Sequence, residues 1–69
     1  MTKQAHQKQP AKYFVQVFSP DVNGRYIVQA SRYDTGDIAD LQSTPSRSQA
    51  ERMAAQMARA FSCDWETNY

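Results

Sequence analysis

Three sets of residues in this 69-residue chain are of types that do chemistry. Asp34, Asp37 and Asp40 recur at every third position, and closely spaced carboxylates suit a hard cation such as calcium. The ligand series of an EF-hand loop is absent, so the run is read as a solvated acidic loop. Cys63 adjoins Asp64. A thiol attacks only as the thiolate, which a neighbouring carboxylate disfavours, so Cys63 is read as structural. His6, the one histidine, lies among Gln and Lys with no acid or thiol to orient it. A Ser/His/Asp set therefore has no histidine to build on. Gly24 and Gly36 are turn residues rather than parts of a phosphate loop. The expectation is a non-enzymatic protein with no cofactor and no metal site.

Charge divides the chain unevenly. Lys3, Lys8 and Lys12 occupy the first twelve residues without an acid, while the remainder holds five arginines against seven acids. Residues 1–11 have no apolar periodicity and are expected to form a disordered basic tail; residues 12–69 are expected to form a single small α+β domain. Apolar runs are too short for a membrane span or a signal-peptide core, which predicts no membrane association and a cytoplasmic location. One cysteine allows no internal disulfide. A chain this small buries only about 60% of its unfolded surface, so self-association into a homodimer is expected as extra burial.

Ser46 to Phe61 carries the helical signal. Ala50, Met53, Ala54, Met57, Ala58 and Phe61 follow the spacing of one helix face, and the run holds no Gly or Pro. Ser46 is the predicted N-cap, with Gln49 three residues on and Pro45 before it. The predicted end is Phe61 or Ser62. The alanine ridge lets a sheet approach closely.

Tyr13–Phe18 and Arg25–Tyr33 are rich in β-branched and aromatic residues and read as strands of a hairpin. A two-residue turn at Asn23-Gly24 would pair Val17 with Ala30, Phe18 with Gln29 and Phe14 with Tyr33, and a longer loop around Ser19 to Gly24 would shift this register. One face then carries Tyr13, Val15, Val17, Tyr26, Val28 and Ala30, and is the seat for the helix. The other carries Phe14, Phe18, Ile27 and Tyr33 interleaved with Gln16, Gln29 and Ser31, too apolar for idle exposure and too polar for a sealed core. Ile38–Gln42 is a candidate third strand with weak alternation. Trp65 and Tyr69 are anchors for docking the C-terminal segment on the sheet, for which an edge strand is one form.

Two resemblances attach to these residues. Asp34-Thr35-Gly36 resembles the three-residue signature of retroviral-type aspartic proteases, which implies a dimer apposing two aspartates. Here Arg32-Tyr33 precede it and Asp37 follows, where that family has aliphatic residues before and Ala or Ser after. The helix start, Ser46 with Ala50, Ala54-Ala55 and Ala58 after strands, resembles the C-terminal half of double-stranded-RNA-binding domains. That likeness covers about a third of the chain and implies phosphate contacts from the first helical turn, where Arg47 is the basic counterpart and Ser48 and Glu51 replace lysines.

The sequence thus predicts a ββ(β)α arrangement: an antiparallel hairpin or three-stranded sheet with one C-terminal amphipathic helix on one face. The predicted function is a small protein-interaction module, a homodimeric regulator or inhibitor of phage- or plasmid-accessory type, binding an unidentified protein through Phe14, Phe18, Ile27, Tyr33 and Trp65. The alternative partner is nucleic acid, contacted by Arg47, Arg52 and Arg59 along a helix edge with Lys8 and Lys12.

Overall fold

A computed structural model of the chain describes residues 12–69. The expected basic tail, with Lys3, His6 and Lys8, lies outside the described residues. Strands β1 (Tyr13–Phe18), β2 (Tyr26–Arg32) and β3 (Ile38–Thr44) form an antiparallel meander. Helix α1 (Arg47–Ala60) follows, and β4 (Trp65–Asn68) then pairs parallel to β1. The sheet order is β3-β2-β1-β4. This is an α+β fold with strands before the helix, and its sheet has four strands where a hairpin or three were predicted, because the C-terminal segment docks as an edge strand.

The helix caps are built by the predicted residues. Ser46 is extended and its Oγ accepts from the Gln49 amide at 3.2 Å. The return bond of a capping box is relayed: the buried Thr44 hydroxyl donates to Gln49 Oε1 at 3.1 Å and accepts from the Ser46 amide at 3.3 Å. At the other end the Cys63 amide reaches the Ala58 carbonyl and the Ser62 amide the Arg59 carbonyl, a Schellman closure with Ser62 at φ 56°. Glycine is the usual occupant of that left-handed position. Cys63 then packs on the core, which completes the turn into β4.

The core is one layer thick. Val15, Val17, Val28 and Ala30 from the sheet meet Ala50, Ala54, Met57 and Ala58 from the helix, with Tyr26, Met53, Phe61 and Cys63 around the margin. Small residues on the helix bring its backbone close to the valines. The face chosen for the helix is the one the alternation predicts.

The hairpin register differs from the expected one. Val17 pairs with Val28, Phe18 with Ile27 and Phe14 with Ser31. Asn23-Gly24 is not a two-residue turn, because Asp21 organises a wider one. Its carboxylate accepts from the Asn23 and Arg25 amides at 2.8 and 3.1 Å, its carbonyl accepts from the Gly24 amide, and Gly24 sits at φ 74°. This is a three-residue loop with a glycine bulge. The slip is two residues, and an even slip preserves which residues share a face.

Two substitutions test this packing. Ser62→Gly relieves the left-handed serine and raises stability by about 0.5–1 kcal/mol in urea denaturation. Ala54→Leu forces side-chain bulk between helix and sheet and lowers it by about 1–3 kcal/mol.

Candidate functional site

The helix covers one sheet face only, and the rest of the geometry follows from what lies on the other. The strand registers align rows across that open face. Ile38, Ser31 and Phe14 form one row; Leu41, Gln29, Gln16 and Glu66 the next; Ser43, Ile27, Phe18 and Asn68 the third. Phe14, Phe18 and Ile27 are half-buried by their neighbours. Tyr33, 66% exposed, stacks on Phe14 at 4.6 Å between ring centroids. The polar members are tied down: Gln29 donates to the buried Ser31 hydroxyl at 3.0 Å and Gln16 to the Glu66 carboxylate at 3.3 Å.

Phe14, Phe18, Ile27 and Tyr33 therefore meet on one surface. Trp65 does not join their rows. The parallel register sets it beside Val15, out of phase with the Phe14–Gln16–Phe18 series. It lines, with Tyr13, Phe14 and Tyr33, a hollow of about 140 Å³ at the sheet rim. A second hollow of about 220 Å³ lies between β3 and the helix. Both fall below the roughly 300–1,000 Å³ of a small-molecule site, so the broad face is the better candidate.

Ile38 and Leu41, 54% and 55% exposed, extend this face and were not singled out in the sequence. Residues three apart lie on opposite sides of a regular strand. Here the β2–β3 register shifts between Ala30 and Ser31, and that bulge swings both side chains to one side. The weak alternation of 38–42 is the signature of the bulge.

At one end of the sheet, Arg25 spans to β3, with Nε on the Ser43 hydroxyl and Nη2 on the Ser43 carbonyl, both at 3.0 Å. At the other end the Asp34 carboxylate is gripped by Arg32 at 2.7 and 2.9 Å, and Arg32 lies 5.7 Å from the Tyr13 ring centroid. The arginine bonds hold the Asp34 carboxyl down at about 2. An aspartate fixed as an ion in an exposed turn has no proton to share, so the geometry of Asp34-Thr35-Gly36 is that of a turn, with Gly36 at φ 77°. Among the described residues no three His, Cys, Asp or Glu side chains converge on an ion site. Burial first, then Asp64, push the Cys63 thiol up, away from the reactive thiolate.

The helix arginines do not share an edge. At about 100° per residue, Arg52 and Arg59 lie within about 20° of one another, while Arg47 lies about 140° from Arg52 and about 120° from Arg59. Arg47 is also occupied, bonded to Glu51 at 3.2 Å and lying 4.9 Å from the Tyr69 ring centroid. The Tyr69 hydroxyl donates to Glu51, and its ring stands edge-on to Tyr26 at 5.9 Å. This clasp fastens the segment after β4 to the start of the helix. Lys12 is exposed at the entry to β1.

No protein-family model matches the chain, and no curated protein or solved structure matches it. No helix is long and apolar enough to cross a membrane among the described residues.

The clasp and the Arg32–Asp34 pair predict two pH limits. Tyr69, then Arg47, hold the Glu51 carboxyl below its ordinary value, and Glu51 holds the Tyr69 hydroxyl above its own. A lowered carboxyl stabilises the fold above the ordinary carboxylate range and loses that effect as pH falls. A raised phenol stabilises below its ordinary value and loses that effect as pH rises. NMR titration is expected to show the Asp34 carboxyl titrating at about 2. Tyr69→Phe is expected to return the Glu51 midpoint towards the ordinary value and leave Asp34 unchanged.

Proposed function

We propose that this chain is a small non-enzymatic protein-interaction module, a homodimeric regulator or inhibitor working in the cytoplasm, that acts by steric cover through its open sheet face. The observation that carries this reading is the grouping of Phe14, Phe18, Ile27, Tyr33, Ile38 and Leu41 on the sheet face that no other element covers among the described residues. Apolar side chains gathered on one exposed face mark a partner surface, whereas scattered ones need no explanation. Aromatic rings surrounded by amides and hydroxyls match the anchors and polar setting of protein interfaces. Trp65 stands at the rim of this surface rather than in it.

Nucleic acid is the second reading, favoured by Arg52 and Arg59, which are exposed on one side of the helix. The occupation of Arg47 by Glu51 and Tyr69 reduces what the first turn has to offer a phosphate.

Affinity capture from the native host with wild type beside the Phe14→Ala/Phe18→Ala variant tests the first reading. The partner is expected to be lost from the variant, with a weakening of about 30-fold or more for each anchor ring. Equal capture by both forms would move the site elsewhere. A titration against duplex DNA and RNA at rising salt tests the second, which requires micromolar binding that falls steeply with salt.

A further inference from the structure

We propose that the occupant of the open sheet face is a second copy of this chain, packed sheet to sheet about a two-fold axis that runs across the strands through the Leu41–Gln29–Gln16–Glu66 row. The proposal rests on the reading of that face as a protein-interaction surface and names its partner.

The pattern on the face is its own complement. An isologous interface requires each residue to meet the symmetry mate of its contact, so residues on the axis meet themselves. Along β1 the open-face series is Phe14-Gln16-Phe18, the same in both directions about Gln16. The axis lays Phe14 on the partner copy's equivalent of Phe18, and Gln16 and Gln29 on their own counterparts. A glutamine amide both donates and accepts, so it pairs with itself under a two-fold as no single-signed group does. On β2 the axis brings Ile27 over the position of Ser31, a bulky side chain over a small one. Leu41, on the exposed β3 edge, meets Leu41.

Charge and polarity select this axis over the other one that apposes the same faces. A two-fold along the strands would lay β3 over β4, which sets Leu41 against Glu66, an apolar group against an acid. The axis across the strands keeps the apolar β3 edges together. Its one electrostatic cost is Glu66 facing Glu66 at the solvated rim, where each carboxylate accepts from Gln16. Arg25, four residues from Gln29, is carried towards the position of Tyr33, whose exposed ring is a cation–π acceptor.

The size of the face sets the strength. Four strands at about 4.8 Å and six residues at about 3.3 Å give about 400 Å² in projection per copy. Over both copies this is about 800 Å², below the roughly 1,200–2,000 Å² of stable specific interfaces, so association is weak and concentration-dependent.

Sedimentation equilibrium of the full chain between about 10 µM and 1 mM tests the proposal in the weak-association range. Mass is expected to rise towards twice the monomer value, and Phe18→Asp is expected to stay monomeric with an unchanged far-UV spectrum. Glu66→Gln, which removes the like-charge contact on the axis, is expected to tighten the dimer severalfold. In a Cys63→Ala background, Leu41→Cys is expected to couple to itself through a short bis-maleimide, and Arg52→Cys, on the helix, is not. A monomer at 1 mM overturns the proposal. So does a dimer that Glu66→Gln leaves unchanged and Leu41→Cys fails to link, which would belong to another axis. If the chain is monomeric while Phe14→Ala/Phe18→Ala still abolishes capture of a host protein, the second copy is excluded and the interaction face stands. If Phe18→Asp disturbs neither association nor capture, both fall.

Discussion

A four-stranded sheet has two faces, and the described residues build one helix to cover them. That imbalance governs the molecule. The helix can seat on the valine side because Ala50, Ala54 and Ala58 keep its backbone near Val15, Val17 and Val28, so a thin core closes without large side chains. Among the described residues no element of similar size lies on the far side. Instead the chain fills that side with aromatic rings half-shielded by glutamines, a composition that tolerates water in the monomer and gains from excluding it on contact.

Much of this was legible in the sequence, for physical reasons that differ by element. The helix was legible because its periodicity, its serine cap and its Pro boundary all agree, and Ser46 caps it as expected. The division of the hairpin faces was legible because side-chain alternation survives a two-residue slip. The register itself was not, since the turn is decided by where the Asp21 carboxylate finds its amides, and Asn-Gly within the loop pointed to a tighter turn than forms. The bulge opposite Ala30 and Ser31 left Ile38–Gln42 only a candidate strand of weak alternation for the same reason that it matters: it moves Ile38 and Leu41 to one face by breaking the period used to recognise strands.

The C-terminal segment shows a second limit. Trp65 and Tyr69 were legible as anchors that dock the segment on the sheet, and it does dock there as an edge strand, but its partner strand, its parallel direction and its helix contacts were not legible. Their contacts are non-local. Trp65 is placed by parallel pairing with β1, and Tyr69 by the Glu51 and Arg47 side chains of the helix. One consequence reaches the functional argument, because a basic residue that looks available in a helical projection is spoken for once the chain end folds back. Arg47 is such a residue, and it separates from Arg52 and Arg59 in both direction and environment.

A single open face also constrains how the protein would work. On the proposed reading a second copy and a partner protein would need the same rings and would exclude one another, so the dimer would have to part before the face could cover a partner. Self-association would then set how much of the chain is free to bind, and at the modest size of the face the exchange would be driven by concentration rather than by an effector. Under that arrangement the glutamine row has a reason beyond solubility. Amides on the axis satisfy one another in the dimer and return to water in the monomer, so neither state strands a buried donor. An all-apolar row would favour permanent pairing, and a charged row would forbid it. The alternation of Phe and Gln lies between these limits, which is what the proposed exchange between its own copy and another surface would require.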